Sequence, residues 1–172
     1  NSTRTYHVDE RAMLTASFPE DAAVWAQNYD SPYLFYPLTQ PHGASRSGLL
    51  TLSGCRIDSA LRRQLPVEDG FRKILDLDRC YSVSRLPVDN GRELVLYNLH
   101  LSAYSADGSI STEQLKLLAA DMQAEYQKGN YCIGGGDFNK DLLGSSEAWF
   151  HVSGEEYSWA KPFPTEVLDG TA

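Results

Sequence analysis

The chain has 172 residues, 42% of them hydrophobic and 22% charged, and a formal charge of −8. That balance is ordinary globular rather than disordered and leaves room for one domain, which at this size buries about 70% of the surface its unfolded chain exposes. An acidic chain has no broad attraction for nucleic acid or anionic membrane, so an anionic partner needs a local basic groove or a bound cation.

Along the chain, Asp9 to Phe18 carries Ala12, Met13 and Ala16 at helical spacing, and Pro19 stops the pattern. Asp21 to Tyr29 reads as a second short helix. Tyr33 to Leu38 and Leu49 to Ser53 read as strands, separated by the turn "PHGASRSG". Ile57 to Leu65 fits strand or helix equally. Arg79 to Val88 and Glu93 to Ser102 are clearer strands, joined by the hairpin signal Asp89-Asn90-Gly91. Ser111 is placed to cap a helix, and Gln114 completes a capping-box pattern. Leu115, Leu118, Ala119, Met122 and Tyr126 then form one apolar stripe, and Gly129 ends it. Tyr131 to Gly134 is a further short strand. Strands alternating with helices point to an α/β (α+β) architecture with helices packed on sheets.

The three cysteines, Cys55, Cys80 and Cys132, are odd in number and show no C-x-x-C spacing. Neither a zinc site nor a disulfide framework is indicated. Cys80 and Cys132 sit in apolar, strand-like runs and read as buried thiols. No stretch approaches the ~20 apolar residues of a membrane span. No secretory leader is visible, and a first residue of Asn1 leaves a removed targeting segment open, so localisation stays unassigned.

Chemistry concentrates in two places. In the strand "ELVLYNLHLS" the period of two puts Leu94, Leu96, Asn98 and His100 on one face, which turns from apolar to polar at its C-terminal end. The stretch "YCIGGGDFNK" then brings Asp137 and Asn139 directly after three glycines. Serial glycine is tolerated where a backbone turns sharply or comes close to something. Two adjacent strands ending this way would converge a carboxylate, two amides and an imidazole on one pocket. Asp137 and Asn139 equally suit a hydrogen-bonded turn that satisfies loop amides.

"YNLHLS" at Tyr97 to Ser102, then a capped helix, then "GGDFN" at Gly135 to Asn139, resembles the endonuclease/exonuclease/phosphatase family of metal-dependent phosphoesterases, such as pancreatic-type deoxyribonuclease and neutral sphingomyelinase. The match covers Arg79 to Leu143 and extends more weakly through "RSGLLTLSG" at Arg46 to Gly54. The resemblance implies a four-layer, two-sheet β-sandwich flanked by helices. It implies a phosphodiesterase or phosphomonoesterase acting through activated water, with Mg²⁺ or Mn²⁺ as cofactor. Its substrate is a phosphate ester: nucleic acid, phospholipid headgroup or inositol phosphate. Carried over, Asp137 orients or deprotonates the attacking water or helps hold the metal. Asn139 hydrogen-bonds the phosphate and the nucleophile, His100 donates to the phosphate, and Asn98 positions its neighbours. The glycines would let the backbone turn beside the phosphate and ion.

The resemblance also implies elements this sequence does not supply. The family's metal-binding Glu lies on an early strand, whereas Asp9 and Glu10 here open a helical turn, and the closing segment "PFPTEVLDGTA" lacks the family's Ser-Asp-His. Residues 1–172 are therefore expected to be a single domain that is the central portion of a longer one. Such a piece would be weakly active or inactive, with exposed sheet edges through which copies can associate. The alternative reading is a non-catalytic binding or scaffold protein that keeps the fold. Two further residues complete the candidates: Arg46, either a solvated turn residue or a phosphate contact, and Tyr104, placed to line a substrate mouth.

Overall fold

The computed structural model describes residues 3–35, 37–67, 78–103, 109–143, 146–150 and 162–168. Its helices are α1 (Glu10–Ser17), α2 (Ser109–Gln127) and the short α3 (Ser146–Phe150). Its strands are β1 (Ala22–Leu34), β2 (Gly43–Ser53), β3 (Ser59–Gln64), β4 (Cys80–Pro87), β5 (Glu93–His100) and β6 (Tyr131–Asp137). Two sheets result, one of order β1-β2 and one of order β3-β4-β5-β6. The β1–β2 ribbon lies over β3, β4 and β5, α2 covers the opposite face of the larger sheet, and α1 sits beside the outer face of the ribbon. The layers are therefore helix, sheet, sheet, helix, as the resemblance implies.

Several elements differ from their sequence reading, each for a tertiary reason. Asp21 to Tyr29 is not a helix but most of β1. Its inward positions, Ala26 and Asn28, are small or polar, so a buried alternating face carries no apolar signature. The "PHGASRSG" turn is shorter than expected because β2 begins at Gly43 and pairs with β1 as far as Leu34. The strand placed at Tyr33 to Leu38 ends at Leu34 for the same reason. Ile57 to Leu65 resolves as strand β3, antiparallel to β4. Helix α2 begins at Ser109, so Ser111 and Gln114 lie inside it as buried residues rather than as a capping box. The apolar stripe stops at Met122, since Tyr126 is 65% exposed.

Other readings hold. Asp9 caps α1, its carboxylate accepting from the Ala12 amide at 3.0 Å. The Asp89-Asn90-Gly91 signal joins β4 to β5 as a hairpin, with Gly91 at φ 77°. Gly129 ends α2 at φ 88°. All three cysteines are free; Cys80 is fully buried, Cys132 partly so, and Cys55 exposed.

The two faces of the larger sheet are packed very differently. Toward α2 lies a continuous core of Leu65, Tyr81, Val83, Val95, Tyr97, Leu99, Leu101, Leu115, Leu118 and Val167. Toward β1–β2 the buried cluster is only Ala26, Leu49 and Cys80, with the buried hydroxyls of Ser82 and Ser84 lacking a hydrogen-bond partner among the described residues. The C-terminal end of α2 is tied to the sheet electrostatically. Glu125 receives two hydrogen bonds from Arg85, at 2.6 and 3.1 Å, and one each from Lys128 and Asn130 at 2.8 Å. These donors, Arg85 first, hold the Glu125 carboxyl at about 2 against an ordinary value of 4.5, although burial acts the other way.

A carboxyl depressed on folding stabilises above its unfolded pKa and loses that contribution as pH falls through the folded value. Glu125→Gln is therefore expected to lower stability by roughly 3 kcal/mol near neutral pH, and the gap to wild type should close as pH falls from 4.5 toward 2. Urea unfolding of both proteins across that range checks it.

Candidate active site

Strands β5 and β6 run parallel, in register from Leu94↔Tyr131 to His100↔Asp137. Paired residues project to the same face, so His100 and Asp137 emerge together where the two strands end. His100 Nε2 stands 3.6 Å from Asp137 Oδ2. That is too long for a hydrogen bond, but it makes the two side chains immediate neighbours. Asn139 follows in the left-handed region, at φ 48°, where asparagine is better tolerated than most residues. Its backbone N–H donates to Asp137 Oδ1 at 2.9 Å. Its Nδ2 donates to the Leu101 carbonyl at 2.8 Å, while the Leu101 N–H donates to the Asp137 carbonyl at 2.9 Å. The three residues singled out from the sequence are thus neighbours at the surface, with His100 one-third exposed and Asp137 more so.

The imidazole is held below its ordinary pKa, chiefly by burial and then by the positive charge of Arg79, with Asp137 opposing both. Burial and Arg79 thus favour the uncharged imidazole over the imidazolium beside Asp137. A neutral imidazole still offers one N–H donor. Arg79 is itself buried, at 3% exposure. In the sequence it reads only as the first residue of a strand, and nothing there signals its field on His100.

The three glycines do different things. A Cβ on Gly136, at φ 138°, would collide with the backbone carbonyl and amide of Leu99. Gly134 would meet Met122 at ordinary contact distance, and Gly135 faces open space. The close approach that glycine permits is thus between β6 and β5, strand against strand.

The remaining candidates lie elsewhere. Asn98 shares the His100 face but turns across the sandwich, its Nδ2 donating to the Leu50 carbonyl and Thr51 Oγ1, both at 3.1 Å. These bonds tie β5 of the larger sheet to β2 of the ribbon. Arg46 pairs with Asp30 at 3.2 Å on the exposed β1–β2 ribbon. Both line an open groove of about 1070 Å³ with Asp9, Arg11, Trp25 and Gly48. That groove is on the outer face of the ribbon, and neither His100, Asp137 nor Asn139 lines it. Tyr104 lies outside the described residues. Among the described residues no group of three His, Cys, Asp or Glu side chains is arranged to hold a metal ion. At the cluster itself the candidate ligand is the Asp137 carboxylate, beside His100.

Comparison with solved structures bears on the architecture. The catalytic domain of human Nocturnin with bound sulfate matches at TM-score 0.50 and 18% identity, over 78% of this chain and 47% of that one. ANGEL2, a 2',3'-cyclic phosphatase, matches at TM-score 0.53 and 18% identity, over 87% of this chain and 40% of that one. Its complex with adenosine-2',3'-vanadate matches at TM-score 0.50 and 19% identity, over 83% and 39%. The likeness shows the fold. It is the α/β sandwich that the Asn-x-His-Leu and Gly-Asp-x-Asn motifs imply. This chain spans less than half the length of each of those structures. No protein-family model and no curated protein matches it.

Gly136→Ala should cost about 3 kcal/mol or prevent folding, because strand collision adds to an unfavourable φ. Gly135→Ala, with open space before it, should stay within about 0.5 kcal/mol of wild type. Thermal unfolding of the two variants separates these outcomes.

Proposed function

We propose that this chain carries the phosphoryl-binding part of a phosphoesterase site. His100 and Asn139 donate to the non-bridging oxygens of a phosphate ester, and Asp137 orients the attacking water. The observation that carries this reading is the convergence of an imidazole, a carboxylate and a carboxamide at the joined C-terminal ends of β5 and β6. In the reaction, the water oxygen attacks phosphorus and gives up a proton to the carboxylate. The P–O bond to the leaving group breaks, and the departing oxygen takes up a proton from solvent. Donors fixed beforehand around the phosphoryl oxygens stabilise the charge that builds there. Two structures with this fold lend support, since Nocturnin holds sulfate and ANGEL2 is a 2',3'-cyclic phosphatase. The substrate class stays a phosphate ester of nucleic acid, phospholipid headgroup or inositol phosphate. Mg²⁺ or Mn²⁺ enters this reading through the family resemblance alone.

The same reading takes residues 1–172 as the central portion of a longer domain with little activity of its own. A two-stranded sheet set against a four-stranded one supports this, as does the exposure of Tyr131 (44%) and Ile133 (56%) on β6. Those open edges and apolar side chains are also where copies of the chain would associate. One observation favours the second reading, a non-catalytic scaffold. Asp137 Oδ1 already closes an internal turn, and one Asn139 Nδ2 hydrogen already binds the Leu101 carbonyl.

Inorganic phosphate titrated into ¹⁵N-labelled protein separates the two. The expected result is saturable movement of the His100, Asp137 and Asn139 signals, weakened about tenfold by His100→Ala. Silence at those three residues would leave the scaffold reading standing. Full metal-dependent turnover by the 172-residue chain would contradict its being a partial domain.

A further inference from the structure

We infer that Gln114, on α2, is a positioning residue for the phosphoryl site, acting through Ser102 and Leu101 on Asn139. The inference rests on the phosphoryl-binding reading above. Gln114 is fully buried, at 0% exposure. Its Oε1 accepts from the Ser102 backbone N–H at 2.8 Å. Its Nε2 donates to Ser102 Oγ at 2.9 Å and to the Pro66 carbonyl at 2.6 Å. Both amide hydrogens and an oxygen lone pair are therefore engaged, and only a carboxamide presents an acceptor and two donors together in that space.

The place of this amide in the chain is what ties it to function. Ser102 is two residues beyond His100, and Leu101 between them is held from the other side by β6. The Leu101 N–H bonds the Asp137 carbonyl, and the Leu101 carbonyl receives the Asn139 carboxamide. The segment 100–102 is gripped by β6 at its middle and by α2 at its end. Releasing Ser102 frees the Leu101 carbonyl to shift, and that carbonyl orients the Asn139 side chain. The third bond, to Pro66, fixes the connection after β3 to the same point. Gln114 touches no reacting group; it sets where one of them points. As a capping residue, which the sequence pattern suggests, it would have done nothing of the kind.

The test is Gln114→Met, which keeps length and apolar bulk and deletes all three hydrogen bonds. At a temperature where circular dichroism shows the variant folded, the Asn139 side-chain amide resonances should move toward free-amide positions. Inorganic phosphate should bind about tenfold more weakly. Glu125→Gln, on the same helix but away from the site, supplies the control. It should lower stability and leave the Asn139 resonances and phosphate binding where they are. Unchanged Asn139 resonances in folded Gln114→Met would overturn the inference. Should that variant not fold, Gln114→Glu, which keeps the acceptor and loses donors, must shift the same resonances or the inference fails. A wild-type protein that ignores phosphate sinks the functional reading, and the Asn139 resonances then decide the positioning role by themselves.

Discussion

The parallel ladder between β5 and β6 is the constraint on which the rest of the site depends. A slip of one residue in either strand would send His100 and Asp137 to opposite faces of the sheet, because side chains alternate with a period of two. What prevents the slip is partly steric. Gly136 lets the two backbones approach at Leu99, and the next hydrogen bonds, from Leu101 to Asp137 and from Asn139 to Leu101, continue the ladder past the ends of the strands. A parallel pair also needs a crossover, and α2 provides it. The helix that makes the pairing topologically feasible also delivers Gln114 and Glu125 to the two ends of the sheet it covers.

The sandwich is held unevenly. The face under α2 has large apolar side chains interlocked across strand and helix, including the tilted pair Tyr81 and Tyr97. The face under β1–β2 buries Leu49 among alanine, cysteine, serine and asparagine, joined by directional contacts such as Asn98 to β2 and Arg62 to the Gln27 carbonyl at 2.6 Å. Burial of small side chains yields little hydrophobic free energy. The ribbon therefore depends on hydrogen-bond geometry where the helix depends on apolar area, and local opening free energies should differ accordingly.

At the site, structural and chemical demands fall on the same atoms. Asp137 closes a turn with one oxygen and faces His100 with the other. Asn139 bonds the backbone with one amide hydrogen in a left-handed conformation that few residues accept. The lowered pKa of His100 follows from burial and from Arg79, not from its own sequence neighbours. A cluster whose polar atoms are tied down this way has the fixed geometry that the proposed phosphoryl binding needs. The same geometry would serve a turn with no chemistry at all.

By itself the sequence determined the elements whose signals are local. Period-two alternation, a turn dipeptide with glycine and a long apolar helical stripe identified β4, β5, the hairpin between them and most of α2, and the two motifs located His100, Asp137 and Asn139. Each of those signals is written within a few residues of where it acts. Tertiary structure alone decided the rest. It made β1 a strand despite a helix-like composition, because a seam of small residues leaves no hydrophobic pattern to read. It moved Gln114 from a supposed cap into the interior, sent Arg46 to the far face of the ribbon, and set Arg79 acting on His100. Those outcomes depend on which residues distant in the chain come to lie side by side, and pairings between separated segments have no local spacing by which to announce themselves.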